Sequence, residues 1–380
     1  MTRKKIAFIG AGFASSVLAR ELVDSGLFEA TIFESRNHIA GNCYTNREEG
    51  IMIHKYGPHI FNTSNKEVWD YVNKFGQFEP FTNRVKAITE KGIFSLPINL
   101  LTLNQFFNKK FTPDEAKSFL NSIGDSSIDK PNNFEEQALK MLGEELYKNF
   151  FYGYTKKQWG IEPSLLPASI LKRLPIRFNY DDNYFQHIYQ GIPKHGYTDI
   201  ISKILNHEYI KVNLNFIFDK TMIQDFDHVF YSGAIDRYFN YEKGELGYRT
   251  LEFKKFTYNG DFQGNAVINY CEESTPYTRI TEHKHFTPWE SHENSICFKE
   301  YSKLTTRDSD PYYPLRTKED ISIFNEYIKL ANNTLGVTFI GRLGTYRYLD
   351  MHIVIEESLN LAKYCKVNEI NKWPSFANTN

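Results

Sequence analysis

The chain has 380 residues, with 45 basic and 46 acidic side chains and a formal net charge of −1. This length predicts more than one substructure around a large core. The balanced charge, without a long basic or acidic block, argues against a nucleic acid or a membrane surface as the main partner. The four cysteines stand singly, which argues against a zinc or disulfide framework, and no apolar run reaches the roughly 18 residues of a membrane span. We therefore expect a cytoplasmic protein without a metal site.

The start of the chain predicts a strand, a helix and a second strand. Residues 5–9 form an apolar run of strand length, residues 13–25 have helical periodicity, and residues 30–34 return to a strand pattern. This order is typical of the first unit of a dinucleotide-binding fold.

The turn after the first strand carries the residues for a pyrophosphate. Gly10 and Gly12 leave room for it to approach the start of the helix, beside Phe13 and Ala14. Glu34 ends the second strand, where a carboxylate can accept hydrogen bonds from a ribose diol. These features predict binding of NAD or FAD.

Two further segments favour FAD. The stretch after Glu34 is a small-residue turn of the kind that FAD folds place near the ribityl chain and the pyrophosphate; its candidate contacts are Ser35, Arg36, Gly41 and Asn42. Near the other end of the chain, Gly341 and Arg342 follow the predicted strand 337–340, and Asp350 and Met351 begin a closing helix. We interpret these segments as the second contact with FAD.

The middle of the chain changes pattern twice. Residues 98–190 lose the strand pattern and show helical periodicity, as in residues 133–151, and short strands return over residues 206–310. We expect a mixed α/β and α+β fold, in which a Rossmann-like FAD-binding domain is interleaved with a helical domain and an antiparallel β-sheet domain. The expected domains are 1–97 with 190–240 and 330–372 for FAD, 98–189 for the helical insertion, and 241–329 for the sheet.

Specific motifs extend over nearly the whole chain. They include RNHI at 36–39, HKYG at 54–57, HIF at 59–61, FTN at 81–83, GYTKKQWG at 153–160, KRLP at 172–175, DNYF at 182–185, PYTR at 276–279 and DMH at 350–352. Together these motifs resemble the UDP-galactopyranose mutase family.

The resemblance implies an isomerase that interconverts the pyranose and furanose forms of a nucleotide-activated hexose. It implies FAD that is active when reduced, primed by an external reductant such as NAD(P)H, with flavin N5 forming an adduct with the sugar. It also implies a homodimer whose furanose product supplies surface polysaccharide. No Gly-x-Ser-x-Gly elbow or paired catalytic cysteines appear, which agrees with chemistry carried by the cofactor.

The resemblance also assigns roles to residues. Arg173 and Arg279 would bind the diphosphate, because planar guanidinium groups pair well with phosphate oxygens. The expected substrate contacts are Asn83, Phe150, Phe151, Tyr154, Thr155, Trp159, Tyr184, Asn269, Glu300, Tyr313 and Tyr348. Further FAD contacts are expected from His59, Ile60, Asn62 and, again, Tyr348.

Four positions depart from the family pattern: Asn62 stands in place of a histidine, Ala40 of a glycine, Pro58 of an alanine and Leu349 of a tyrosine. The sugar therefore stays open between galactose and a modified hexose, as in a dTDP-fucopyranose or UDP-N-acetylgalactosamine mutase. Two other functions are weaker alternatives: a flavin oxidase of amines or alcohols, and a non-catalytic nucleotide-sugar-binding protein.

Overall fold

The computed structural model describes residues 2–173 and 176–377, without the side chains of Ser169, Lys172 and Arg173. Its strands are β1 (Lys4–Ile9), β2 (Phe28–Phe33), β3 (Thr45–Glu48), β4 (Ile51–His54), β5 (Phe61–Thr63), β6 (Phe78–Pro80), β7 (Val85–Thr89), β8 (Gly92–Leu96), β9 (Tyr189–Pro193), β10 (Ile210–Asn213), β11 (His228–Tyr231), β12 (Tyr248–Asn259), β13 (Val267–Tyr270), β14 (Arg279–Glu282), β15 (Asn294–Leu304), β16 (Tyr313–Pro314) and β17 (Val337–Phe339).

The α-helices of the same residues are α1 (Phe13–Val23), α2 (Lys66–Asn73), α3 (Leu100–Phe106), α4 (Pro113–Ile123), α5 (Phe134–Leu146), α6 (Gly153–Trp159), α7 (Tyr197–Leu205), α8 (Ile235–Tyr238), α9 (Lys318–Asn332), α10 (Gly341–Gly344) and α11 (Met351–Val367). A π-helical segment, Tyr147–Tyr152, joins α5 to α6. None of the helices in the described residues has the length and apolar character that a bilayer span requires.

A parallel five-stranded sheet, in the order β10-β2-β1-β11-β17, confirms the Rossmann-like fold. Ile9 pairs with both Phe33 and Tyr231, so the carboxyl ends of β1, β2 and β11 meet at one edge. Apolar clusters lie around the sheet; one contains residues of α1, α7 and α11 and another contains residues of α8 and α9. The edge formed by these strand ends is where parallel α/β sheets bind ligands.

A second, mostly antiparallel sheet has the order β16-β12-β15-β14-β13-β7-β8. Its strands β7 and β8 come from residues 85–96, which we predicted from the sequence to belong to the FAD-binding domain. In the structure, β7 pairs in parallel with β13. The sheet is therefore built from two separated parts of the chain. Residues Asn269, Arg279 and Glu300 are neighbours across β13, β14 and β15.

The helical region between β8 and β9 contains α3 to α6, as its periodicity predicted. The predicted helix at 133–151 is interrupted, because Gly143 has a φ of 73° inside α5. A Cβ at Gly143 would lie 2.6 Å from the Ile123 carbonyl oxygen, so close packing against α4 accounts for the glycine. The following π-helical turns then redirect the chain into α6, which carries several candidate substrate contacts.

Candidate functional site

The turn after β1 forms a cradle that side chains would fill. A Cβ at Gly10, whose φ is 97°, would lie 2.3 Å from Ser232 Oγ, and a Cβ at Gly41 would lie 3.3 Å from Gly12 Cα. Helix α1 begins after Gly12 without a side-chain cap, so its first N–H groups are free of side-chain acceptors. The glycines leave the backbone at this helix N terminus uncovered, and its free N–H groups can donate to the pyrophosphate of a dinucleotide such as FAD.

Glu34 lies at this cradle with a nearly buried carboxylate. Its Oε2 accepts a hydrogen bond from the Ala11 N–H at 2.9 Å, and its Oε1 accepts from the Arg36 N–H at 2.9 Å and from Ser35 Oγ at 3.4 Å. The Arg36 guanidinium in turn donates to Asn42 Oδ1 at 3.0 Å. The acid therefore joins the glycine turn to the segment after β2.

The second predicted FAD segment lies against the first. A Cβ at Gly341, whose φ is 68°, would lie 3.1 Å from the Ala14 Cβ, and Ser358 of α11 donates to the Ala14 carbonyl at 3.1 Å. Phe13 is buried beside them. Asp350 is the exposed residue that precedes α11, and its side chain does not cap that helix; the next residue, Met351, packs on the same core.

Arg342 is the cation of this second segment. Its guanidinium donates to the carbonyl oxygens of Tyr312 at 3.2 Å and Leu349 at 2.7 Å. It also lies 5.4 Å and 5.1 Å from the ring centroids of Tyr313 and Tyr348, which stack on each other at 5.4 Å. The arginine thus joins both tyrosines to the segment that follows β17.

The segment around β5 completes the cofactor side. The His59 Nδ1 lies 2.8 Å from the Gly57 carbonyl oxygen, which can only accept, so Nδ1 carries the hydrogen. Burial lowers the pKa of His59 to about 4, with a smaller effect from Arg342 and Arg279, although the Gly57 contact opposes the shift. Ile60 is buried. A neutral His59 therefore presents Nε2 as an acceptor.

Asn62, a predicted FAD contact, is held by two protein partners. Its Oδ1 contacts His187 Nδ1 and its Nδ2 donates to the Ile60 carbonyl at 3.1 Å. The His187 ring lies 4.9 Å from the ring of His352 on α11. Asn62 is thus held in a polar cluster with two histidines.

A cavity of about 120 Å³ opens beside the second sheet. Its walls are mostly apolar, and they include side chains from α5, the π-helical segment, α6 and β13. The predicted substrate contacts that line it are Phe150, Phe151, Tyr154, Thr155, Trp159, Tyr184 and Asn269. Phe150 packs against Phe94 and Phe106 at centroid distances of 5.4 Å and 5.3 Å, so it also belongs to the core. A flat aromatic ring such as a nucleobase suits this cavity.

Arg279 pairs across the strands with Asn269, which lines the cavity, and its charge also acts on His59 of the cofactor side. Its Nε is 3.0 Å from Glu300 Oε1, and the Glu300 side chain is almost fully buried. Burial opposes a high pKa at Arg279, but Glu300, Tyr154, Tyr313 and Tyr184 together raise it. The guanidinium therefore stays charged at any working pH.

The tyrosines around Arg279 keep their hydroxyl hydrogens. Burial raises the pKa of Tyr154, Tyr184 and Tyr313, and it outweighs the lowering effect of Arg279 on each. Tyr184 also interacts electrostatically with Tyr348. One cation and several neutral hydroxyl donors form a set that suits the oxygens of a diphosphate.

Two of the predicted substrate contacts are among the buried amides whose oxygens lack a partner in the described residues. Asn83 Oδ1 and Asn269 Oδ1 are shielded from solvent and accept no hydrogen bond. Asn83 is tied to the cavity through its carbonyl oxygen, which accepts from the Tyr184 N–H at 2.8 Å. Because buried polar atoms are nearly always paired, these oxygens fit hydroxyl or N–H groups of a ligand.

The other predicted arginine cannot be placed with its partners, since the side chain of Arg173 is outside the described residues. The sequence interpretation gave no role to two other cations, one on α6 and one that contacts it from β12. They are Lys157, which lies in a quoted motif, and Arg249, which no motif marked. A lysine one helical turn after Gly153 was the available signal.

Comparisons with known proteins agree with this geometry. The family model "UDP-galactopyranose mutase" matches residues 149–348, and an NAD(P)-binding Rossmann-like domain model matches residues 9–75. The chain is 54% identical over 364 residues to a "Probable UDP-galactopyranose mutase" of Klebsiella pneumoniae, which covers 95% of this chain and 94% of the relative.

Two other similarities bear on substrate and fold. The chain is 50% identical over 375 residues to the dTDP-fucopyranose mutase of Escherichia coli, covering 96% of this chain and 99% of the relative. A crystal structure of reduced UDP-galactopyranose mutase shares the fold, with a TM-score of 0.75 at 16% identity, over 96% of this chain and 94% of that one. The chain therefore belongs to the UDP-galactopyranose mutase family.

Proposed function

We propose that this mutase converts a nucleoside-diphosphate hexose between its pyranose and furanose forms at the junction of the cavity and the glycine cradle. The observation that carries the proposal is Arg279, a mostly buried cation that pairs across the strands with the cavity residue Asn269 and has the tyrosine hydroxyls of Tyr154, Tyr184 and Tyr313 nearby. The family and its Rossmann-like region imply FAD as cofactor. When bound in its reduced form, FAD supplies a nucleophilic ring nitrogen next to the sugar.

The protein's own residues would bind and orient the substrate. The nucleobase would enter the cavity and stack on Tyr154, while Trp159 and Phe151 exclude water from its walls. Arg279 would hold the diphosphate through charge-assisted hydrogen bonds, with Arg173 as a second candidate. Because diphosphate becomes more negative as its bond to the sugar breaks, this fixed cation stabilises the departing group more than the bound substrate.

The polar residues near Arg279 would orient the sugar. Tyr184, Tyr313 and Tyr348 would donate hydroxyl hydrogens to phosphate oxygens, and the unpaired oxygens of Asn83 and Asn269 would accept from substrate groups. Glu300 would keep Arg279 in place through their ion pair. No protein nucleophile is needed in this scheme.

We propose UDP-galactopyranose as the substrate, and a dTDP-linked 6-deoxyhexose such as dTDP-fucopyranose as the alternative. The second candidate is supported by the 50% identity to the fucopyranose mutase and by Asn62. The test is proton NMR of dithionite-reduced protein with each donor, watching for a furanose anomeric signal. A furanose signal from UDP-galactopyranose alone supports the first substrate, and a furanose signal from the dTDP sugar alone supports the alternative. The absence of a furanose signal from both donors refutes the proposal.

We also propose that the protein is a homodimer and that an external reductant such as NAD(P)H primes its flavin. We further propose a cytoplasmic location, which the four free cysteines favour. We likewise propose that the FAD-binding, helical and β-sheet domains are interleaved, and that residues 85–96 belong to the β-sheet domain. Light scattering of the purified protein would test the dimer, and loss of the oxidised-flavin absorbance on anaerobic addition of NADPH would test the reductant.

A further inference from the structure

We infer that Lys157 is a positioning residue for the mutase reaction, because its ammonium group fixes the turn that precedes Arg279 against helix α6. The inference rests on the proposed function, since it takes α6 as the wall of the nucleobase cavity and Arg279 as the group that holds the diphosphate. Lys157 itself is not among the residues that line the cavity.

The Lys157 ammonium lies inside a shell of backbone oxygens. Its Nζ is 2.8 Å from the carbonyl oxygen of Tyr270, 2.6 Å from that of Glu272, 2.9 Å from that of Thr275 and 3.1 Å from that of Tyr277. An ammonium group has three hydrogens and no acceptor, and carbonyl oxygens only accept. The four oxygens are therefore arranged for a cation.

The turn that Lys157 holds carries the polar residues of the site at its two ends. It connects β13, which ends at Tyr270, to β14, which begins at Arg279. Asn269 and Arg279 are paired in register across these strands. Four contacts from one side chain fix a short turn at several points, so they also restrict how Arg279 can move relative to Asn269.

The same helix face approaches the turn a second time. Gly153 lies one helical turn before Lys157, on the same side of α6. A Cβ at Gly153 would lie 2.4 Å from the Cys271 carbonyl oxygen and 2.9 Å from the Glu273 nitrogen. The helix and the turn are thus in backbone contact, and Lys157 closes this contact.

The other end of α6 is joined to the sheet by Arg249 of β12. Its Nε donates to the Gln158 carbonyl at 3.1 Å and lies 3.0 Å from Ser302 Oγ. Gly160 has a φ of 70°, and a Cβ there would lie 2.2 Å from the guanidinium. Ser302 Oγ also donates to the Gln158 carbonyl. Because Arg249 and Ser302 secure this end independently of Lys157, loss of Lys157 should loosen the turn while α6 stays folded on the sheet.

Lys157 and Arg249 thus connect α6 to two separate parts of the second sheet. Tyr154, Thr155 and Trp159 line the cavity from α6, and Arg279 follows the turn that Lys157 holds. A small displacement of a charged group at a reacting centre can lower turnover about 100-fold. Burial lowers the pKa of Lys157 to about 8. Burial thus disfavours the ammonium form, and the hydrogen bonds to the carbonyl oxygens stabilise it.

The test compares Lys157→Met with Lys156→Met in the full-length, FAD-loaded protein. Lys156 is the preceding residue, and its ammonium pairs with Glu162 at 2.9 Å and with Glu273 at 2.7 Å. Because Glu273 belongs to the same turn, Lys156 controls for a contact that reaches the turn through an exposed side chain and not through its backbone oxygens. We expect Lys157→Met to lower kcat about tenfold or more, with KM changed less than about threefold, because the diphosphate cation is misplaced while the cavity remains. Lys156→Met should stay within about twofold of the wild type in both, as surface ion pairs contribute little.

Amide hydrogen exchange supplies a readout that does not depend on turnover. Exchange over residues 271–278 should accelerate in Lys157→Met and not in Lys156→Met, while the strand β1 keeps its protection. Equal turnover in the two variants, or unchanged exchange in this turn, overturns the inference. If Lys157→Met does not fold, Lys157→Gln against Lys156→Gln repeats the comparison, since an amide still donates two hydrogen bonds. A wild type that converts no nucleotide sugar refutes the proposed function, whereas the exchange data still test the contact.

Discussion

Replacing Arg279 by methionine should abolish turnover and also destabilise the fold, and the two effects can be separated. The structure shows why: Arg279 Nε lies 3.0 Å from Oε1 of Glu300, a carboxylate that is almost fully buried. Besides this cation, the carboxylate accepts a hydrogen bond from Thr278 Oγ1 at 3.2 Å. Removing one partner of a buried ion pair leaves an uncompensated charge, which costs about 3–5 kcal/mol.

The double variant Arg279→Met/Glu300→Gln removes both charges. A neutral amide at 300 needs no cation, so most of the lost free energy of unfolding should return, to within about 1–2 kcal/mol of the wild type. Turnover should not return, because the loss of a preorganised charge at a reacting centre lowers kcat about 100- to 1,000-fold. Stability and activity therefore respond differently to the second substitution.

The matched control is the surface pair Arg47 and Glu290, whose closest N–O distance is 2.7 Å. The variant Arg47→Met/Glu290→Gln should lose less than about 1 kcal/mol and retain activity. Urea denaturation and furanose formation by NMR would be measured on all four proteins. Turnover in Arg279→Met/Glu300→Gln within tenfold of the wild type would refute the role of Arg279, and a stable Arg279→Met single variant would refute the energetic argument.

Three other substitutions test separate parts of the structure. Gly41→Ala should lose FAD, because its Cβ would lie 3.3 Å from the Gly12 Cα, and the purified variant should show a weaker flavin absorbance than the wild type. Gly26→Ala is the control: Gly26 also has a positive φ, but a Cβ there meets no atom within 4 Å, so this variant should share the backbone strain and keep FAD. Tyr154→Ala should weaken UDP or dTDP binding about 5- to 150-fold in calorimetry through lost stacking, whereas Ala at the exposed Tyr180 should have no effect. Burial alone would raise the pKa of Glu282, but the adjacent His285 and hydrogen bonds from Ser295 and backbone N–H groups lower it to about 2. Its contribution, about 3 kcal/mol, is therefore present above pH 4.5 and lost as the pH falls toward 2, so Glu282→Gln should be less stable than the wild type at pH 7 and approach it in acid.

The sequence predicts the cofactor end of the fold well because its signals are local. Apolar runs and two glycines define β1, the turn and α1, and the structure places β1 and β2 within two residues of the predicted bounds. Local pattern was sufficient here since parallel strands buried on both faces are apolar throughout. Residues 85–96 were different: their pairing with β13 is set by contacts distant in sequence, which no local pattern encodes.

The helical region shows a second limit. Periodicity predicts helix over residues 133–151, but it does not reveal that Gly143 adopts a positive φ or that residues 147–152 form π-helical turns. Both depend on packing against neighbouring segments. For the same reason, Arg249 has no sequence signature of its function, and Lys157 has only its spacing from Gly153, because their partners are backbone oxygens, and any residue type can supply those.

The central claim is that the bond between the sugar and its diphosphate breaks at the site that Arg279 marks. Positional isotope exchange tests it directly, using a nucleotide sugar with ¹⁸O in the bridging oxygen and reduced protein. We predict that the label spreads to the non-bridging oxygens of that phosphate as furanose forms, and that neither event occurs with Arg279→Met/Glu300→Gln. Furanose that accumulates while the label stays in the bridge would contradict the account.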